Sequence, residues 1–516
     1  NAIEYFLAGK SQNWFVVGSS LFAASVSSST LMGHSGEGFI SGIAVFNYNV
    51  GAIFVIIFVS LFFLPFYIKS GIYTIPEYLG RRFDNRSRKY FSFITIIGNV
   101  FLDAGAALYT GALILKIIFP EIDMMWIIIG MALMAGTYTI IGGLSSAINA
   151  DMIQSIILIA GSVLLSIFCF NSVGGWENFV EHFHDGVWLN LIRPNSDTTV
   201  PWFSIFLSIP ILGFYFWGNN QVIVQRVMSA KTVNEGRLGF LFVAFLYVFT
   251  LFIFIAPGMV GRMIDLFGVG DTLPNEIIDG NTLRAQYGID TNEVYPRLIL
   301  KLLPVGLIGV MIACMVSALT STLSATLSSV STLFTMDFYK SWRPESSPRH
   351  LVRVGQWTSF IALVVAVLWA PLIGKFASLV AYYQEFSSYL APPIVGTFLV
   401  GLFWKGSTRN GAFAGLMSGL AMSALIMTYK FGFGGVVPFH FLLWVPILLI
   451  LSVLVNIIVS KCDRNKETDV ETYTWNKSVW QDDTRELKTV PWYKNFRYIS
   501  CLLYTSPSPR DISGSR

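Results

Sequence analysis

Residues 317–332 read SALTSTLSATLSSVST, and ten of these sixteen side chains carry a hydroxyl: Ser317, Thr320, Ser321, Thr322, Ser324, Thr326, Ser328, Ser329, Ser331 and Thr332. The stretch lies between VGLIGVMIACMV and LFTMDFYK, so its oxygens are set in an otherwise hydrocarbon segment. Hydroxyls in such a place have two uses. They let helices pack closely and bond back to the preceding turn, or they supply oxygen ligands to a hard cation. A second stretch, AASVSSSTLMGHSGEG (23–38), is dense in Ser and Gly, and a third, PWFSIFLSIPILGFYFWGNN (201–220), carries Pro210 and Gly213 in mid-segment. Broken helices free backbone carbonyls, which are a further source of oxygen where water is absent.

The scaffold that must position these groups is a membrane one. Of 516 residues 54% are hydrophobic and 12% charged, against about 25% charged in soluble domains. Apolar runs near the length that crosses a bilayer, about 20 residues, occur about twelve times: near 12–34, 43–68, 91–118, 123–142, 150–172, 201–219, 238–262, 302–337, 353–374, 376–403, 411–430 and 440–461. The pattern predicts an all-α polytopic membrane protein with no soluble domain large enough to hold its own active site. RRFDNRSRK (81–89), the stretch 225–237, YKSWRPESSPRHLVR (339–353), WKGSTR (404–409) and KCDRNK (461–466) fall on one side if the spans alternate, and positive-inside bias makes that side cytoplasmic. Cys169 and Cys314 lie within spans and Cys462 on the cytoplasmic side, so no disulfide framework is implied.

Six segments, EYFLAGKSQNW (4–14), KSGIYTIPEYLGRRF (69–83), GGLSSAINADMIQ (142–154), WGNNQVIVQRVMSAK (217–231), STLFTMDFYK (331–340) and APPIVGTFLVGLFWK (391–405), resemble the sodium:solute symporter family, and within it the sodium/glucose cotransporter group and its bacterial members. The resemblance runs from about residue 4 to 462. It implies a LeuT-type core of two inverted five-helix repeats, 12–172 and 201–403. Around that core it implies a cytoplasmic lead-in at 1–11, an external loop at 173–200, two accessory helices at 404–461 and a cytoplasmic tail at 462–500. Inverted-repeat transporters break the first helix of each half, which the breakers in 23–38 and at Pro210 and Gly213 match.

What the resemblance implies for the site is specific. Sodium lies between the first and eighth helices, held by the backbone carbonyls of Ala23, Val26 and Ala318 and the hydroxyls of Ser321 and Thr322. Asp151 stands on the inward sodium path, and a helix N-terminal charge is its alternative reading. For the solute, Gln384 is kept in the tenth helix, while Asn49 replaces a glutamate, Ser25 and Gly213 replace asparagines, Tyr247 replaces a lysine, and Thr30 stands for an amide or imidazole. Tyr215, Phe216 and Trp217 form an aromatic wall. Asp103 of the third helix faces the same region where a sialic-acid branch has arginine; it argues against an anionic solute and is also readable as a structural acid bonded to neighbouring helices.

The implied activity is secondary active transport by alternating access, with inward sodium flux coupled to uptake of a small polar solute, a sugar or related polyhydroxylated compound. A sodium-coupled amino-acid or other organic-solute symporter is the alternative, as is a transporter-like sensor domain of a truncated signalling protein. Sodium is the coupling ion and no organic cofactor is implied; the partners are solute, sodium and lipid bilayer, with no nucleic acid or obligatory protein partner evident. The place is the cell (inner) membrane. His182 and His184 of EHFHD fall short of the roughly four ligands zinc needs, and His34 reads as a packing or gate-side residue. No Walker motif, nucleophile elbow or metalloprotease motif appears, so the chain does not read as an enzyme. It begins with Asn, and CLLYTSPSPRD (501–511) reads as a translated sequencing adapter, so 501–516 is expected to be foreign and both ends incomplete.

Overall fold

The computed structural model describes residues 2–505 except 185, 196, 198, 271–272, 274–276, 375–378, 436–438, 464–470 and 489. Residues 506–516 of the adapter-like end and Asp185 of EHFHD lie outside the described residues. Among the described residues, each of the twelve expected apolar runs is mainly helical. Among the described residues nine helices are long and apolar enough to cross a membrane, and Val233–Val248 with Leu251–Met263 forms one further span bent by 44°.

The first span is two helices, α1 (Trp14–Ser25) and α2 (Ser28–Ser41). Between them Val26 (φ −103°, ψ 87°) and Ser27 (φ −84°, ψ 170°) leave the helical region, so the Ser- and Gly-rich stretch does break. The second span contains α3 (Asn47–Phe62). The third runs through α4 (Asn85–Ile97), a π-helical turn at Gly98–Ala104 and α5 (Gly105–Ile118). The fourth and fifth are joined as α6 (Met124–Ser172), interrupted at Gly143 (φ 63°, ψ −157°). Only glycine takes that conformation without cost, and a Cβ there would also lie 2.5 Å from the Tyr5 ring.

The sixth span corrects the expectation. Pro210 and Gly213 do not break it: α7 (Trp202–Leu207) and α8 (Ile209–Phe214) meet at Ser208, which stays helical (φ −98°, ψ −48°). Pro210 falls in the first turn of α8, where its missing N–H has no helical partner to lose. The break comes after the π-helical turn Tyr215–Asn219, at Asn220 (φ −72°, ψ 120°), whose side chain accepts from the Val222 amide at 2.9 Å and caps α9 (Gln221–Val227).

The seventh span comprises α10 (Val233–Val248) and α11 (Ala256–Met263). A Cβ at Gly258 of α11 would lie 1.9 Å from the Ser35 carbonyl, so only glycine lets α11 and α2 approach this closely. The rest are α12 (Val305–Leu333), α13 (Pro348–Ile373), α14 (Leu379–Phe403), α15 (Arg409–Met427) and α16 (Phe441–Cys462). The tail carries α17 (Lys477–Lys488) and α18 (Phe496–Thr505), and Leu487 and Phe496 pack on Leu238 and Leu241 of α10.

Candidate functional site

All ten hydroxyl residues of 317–332 are buried in α12, and their partners divide them. Thr320 donates to the Ser317 carbonyl at 3.0 Å, Thr322 to that of Ala318 at 3.1 Å and Thr332 to that of Ser328 at 2.8 Å. These satisfy oxygen within the helix. Ser321 is different, because its Oγ donates to Asp151 Oδ1 at 2.7 Å.

Asp151 is fully buried and lies eight residues beyond Gly143. That is too far from any helix start for the dipole to hold it, so the N-terminal reading is corrected. The residue that neutralises it is Arg226 of α9, whose Nη2 lies 2.8 Å from Asp151 Oδ2, both side chains being 0% exposed. The Ser20 hydroxyl of α1 donates to the same oxygen at 2.8 Å. One carboxylate thus joins α1, α12 and α9.

Ser20 is one turn before Ala23, so this junction sits beside the break in the first span. In a continuous helix the Ser27 amide would donate to the Ala23 carbonyl and the Thr30 amide to that of Val26. Here the Ser27 amide donates to Thr30 Oγ1 at 3.3 Å and the Thr30 amide to Ser27 Oγ at 3.1 Å. Ala23, Val26, Ala318, Ser321 and Thr322 are all buried, and the first two carbonyls have lost their helical amides.

Next to this lies a cavity of about 210 Å³ lined by Ser25, Thr30, Asn49, Asp103, Phe216, Trp217, Tyr247 and Gln384, all eight residues expected for the solute, together with Gly213, Tyr215 and Thr322. No Lys or Arg is among its described lining residues. The Trp217 ring meets Phe216 edge-on at 5.3 Å and Tyr247 edge-on at 5.4 Å. Asn49 Nδ2 donates to Thr250 Oγ1 at 2.8 Å, at the bend of the seventh span, and Asn49 Oδ1 lies 3.3 Å from His34 Nε2. His34 Nδ1 lies 3.0 Å from the Thr30 carbonyl, so this histidine lines the cavity and ties the first, second and seventh spans.

Asp103 projects from the π-helical turn of the third span. Such turns widen a helix locally and recur at functional sites. The Tyr383 hydroxyl bonds its carboxylate, and Asn99, turned so that its oxygen accepts from Ser329 Oγ at 2.7 Å, donates to Asp103 Oδ2 at 3.2 Å. Tyr383 and Thr326 both line the cavity and were not singled out from sequence. Their only signal was a phenol next to Gln384 and a hydroxyl one helical turn after Thr322. His182 and His184 lie on the helix Trp176–His184, away from the cavity, and no group of three or more His, Cys, Asp or Glu positioned for a metal occurs among the described residues.

The profile of the sodium:solute symporter family matches residues 5–419. The sodium/glucose cotransporter 1 of Oryctolagus cuniculus is 31% identical over 492 residues, covering 88% of this chain and 74% of that protein. The sodium/mannose cotransporter of Bos taurus is 33% identical over 446 residues, 83% of this chain and 74% of that protein. The substrate-bound, outward-open structure of a Na+-coupled sialic acid symporter superposes with a TM-score of 0.76 at 23% identity, over 90% of this chain and 93% of that one.

Proposed function

The chain belongs to the sodium:solute symporter family, a multi-pass membrane protein with a LeuT-type five-plus-five helical core that couples sodium to the movement of a small solute, and from that premise we propose that its solute is a neutral sugar or close polyhydroxylated relative. The observation that carries this reading is the lining of the cavity: amides at Asn49 and Gln384, a hydroxyl at Ser25, a carboxylate at Asp103, aromatic faces at Phe216 and Trp217, and no Lys or Arg among the described residues. An amide offers donors and an acceptor at once, which suits a hydroxyl that both gives and takes a proton. An aromatic face covers the apolar face of a pyranose. An anionic solute would instead meet Asp103 with no cation from the protein beside it, and like charges repel strongly where water is scarce. The names of the relatives, cotransporters of glucose and mannose, point the same way.

Sodium, in this reading, is held by the carbonyls of Ala23, Val26 and Ala318 and the hydroxyls of Ser321 and Thr322. Asp151 lies on its inward route. The hard cation takes oxygen from a broken helix on one side and from α12 on the other. Alternating access then moves the two repeats about this shared point.

The test is uptake into proteoliposomes across hexoses, inositols, amino acids and sialic acid, with and without an inward sodium gradient. Sodium-dependent uptake of a hexose or inositol is expected. Uptake confined to amino acids or sialic acid would refute the sugar assignment, and uptake indifferent to sodium would refute the coupling.

A further inference from the structure

We infer that Ser27 and Thr30 are positioning residues for the coupling ion: their paired caps hold the Ala23 and Val26 carbonyls out of the helix so that both stay open to sodium. The inference rests on the sodium site proposed above and concerns residues that supply none of its ligands.

Two backbone amides, those of Ser27 and Thr30, decide which carbonyls stay open. In the interior of an unbroken helix each carbonyl is closed by the amide four residues on. Val26 N–H still does so, donating to Phe22 at 2.9 Å, and Leu31 N–H resumes the pattern with Ser27 at 3.0 Å. Within the gap, the amides due to Ala23 and Val26 are those of Ser27 and Thr30, and these two are the ones taken by side chains. Ser27 N–H goes to Thr30 Oγ1 at 3.3 Å and Thr30 N–H to Ser27 Oγ at 3.1 Å. The exchange is a reciprocal capping box, with threonine in the place where glutamate or glutamine is usual.

Without the side-chain acceptors, the amide of buried Ser27 and that of half-buried Thr30 would each lose its partner, which is costly. The nearest remedy is to return to its helical carbonyl. That return would wind the break by one turn and cover the oxygens that sodium needs. The Ser27 and Thr30 hydroxyls lie 3.0 Å apart, and the pair is tied further to Ser29 Oγ at 2.6 Å and, through Thr30 Oγ1, to the Ser25 carbonyl at 3.4 Å. Thr30 also lines the solute cavity. A solute pressing on Thr30 therefore acts on the same cap that keeps the ion ligands exposed.

Equilibrium binding of ²²Na⁺ to the purified full chain in detergent, without solute, tests this with Ser27→Ala and Thr30→Val. Both should weaken sodium binding by about three- to tenfold, the range set by loss of a helix cap. Thr30→Ser and Ser27→Asn, which keep a capping oxygen, should stay within about twofold of the parent. A Ser321→Ala/Thr322→Ala variant is measured alongside. If it weakens sodium binding while Ser27→Ala and Thr30→Val do not, the capping inference falls and the ion site stands. If that double variant leaves sodium binding unchanged, the ion site itself is misplaced and the inference falls with it. Should Ser27→Ala not give a monodisperse, helical protein, Thr30→Val against Thr30→Ser carries the test alone: equal sodium binding by these two also overturns it.

Discussion

The Ser321 hydroxyl donates to Asp151 Oδ1 over 2.7 Å, while Arg226 Nη2 holds the other carboxylate oxygen at 2.8 Å. A hydroxyl has one proton and two lone pairs. With its proton committed to a carboxylate, Ser321 presents only lone pairs to the space opposite, which is what a cation requires. Asp151 therefore sets the polarity of a proposed ligand without touching the ion, and Arg226 pairs with the carboxylate oxygen that Ser321 leaves free.

Replacing Ser321 and Thr322 together by Ala should raise the sodium concentration for half-maximal uptake by about tenfold or more, since each bond to a charged partner contributes roughly 1.5–3 kcal/mol. The fold should survive, because both side chains are small and Thr322 otherwise bonds only its own helix, at the Ala318 carbonyl. Sodium titrations of uptake in proteoliposomes check this. An unshifted half-maximal concentration would mean that the ion binds elsewhere.

The buried pair predicts a non-additive stability effect. Removing one partner leaves an uncompensated charge in a site where both side chains are 0% exposed, which costs about 3–5 kcal/mol. Asp151→Asn and Arg226→Gln should each lower the thermal unfolding midpoint markedly, and the double variant should recover part of the loss. Two single effects that simply add would show that the charges do not compensate one another. Sodium dependence in the double variant should remain impaired, because an amide no longer fixes the Ser321 proton.

Several of these features were legible in the sequence. The break in the first span is written as SVSSST, since hydroxyl residues compete with the helix for its own amides, and the eight expected solute residues converge on one cavity. The break in the sixth span was read at the wrong residue. Pro210 is the more conspicuous breaker, yet it falls where a helix tolerates proline, whereas Asn220 breaks the helix by capping the next one. Arg226 was counted as one more cytoplasmic charge. Only the fold shows that its side chain is buried against Asp151 on a different helix, because such pairing depends on which helices meet rather than on spacing along one of them. Tyr383 gave no contrast for the same reason: the second of two adjacent tyrosines, it reads as packing until a carboxylate from another helix is found beside it.

The tail makes a separate, structural prediction. Arg237 of α10 is nearly buried, donates through Nε to the Ser60 carbonyl at 2.8 Å, pairs with Asp483 and lies 4.0 Å over the Phe496 ring. Trp475 stands 5.8 Å from Phe62 and donates its backbone amide to the Leu402 carbonyl at 2.9 Å. The tail thus spans from the end of α14 to the start of α10. Asp483→Ala should strand the Arg237 charge and raise hydrogen exchange across Lys477–Lys488 and the first turns of α10, an opening of local stability rather than of the whole fold. Unchanged exchange in both segments would show that the ion pair contributes nothing to docking.

The last prediction concerns Asp103, the carboxylate that lines the solute cavity. Its carboxylate is bonded by Tyr383 and Asn99 and has no Lys or Arg beside it among the described lining residues. If the solute is a sugar, Asp103 accepts from a hydroxyl, and Asn in its place still offers an oxygen of the same geometry. Asp103→Asn should then lower apparent affinity by about three- to tenfold, the worth of one hydrogen bond weakened from charged to neutral, with maximal uptake largely kept. If the solute carries an ammonium, the loss is of another order, because the cation would be left in a cavity without a counter-charge, and binding should fall by about a hundredfold or more. Tyr383→Phe separates the effects further. It removes a bond to Asp103 while keeping the charge, so it should cost a sugar and an amine alike, and less than Asp103→Asn costs an amine. Uptake kinetics of the sodium-coupled solute for the two variants give the answer. A collapse with Asp103→Asn alone, for a solute that no hexose displaces, would replace the sugar by an amine as what this cavity carries.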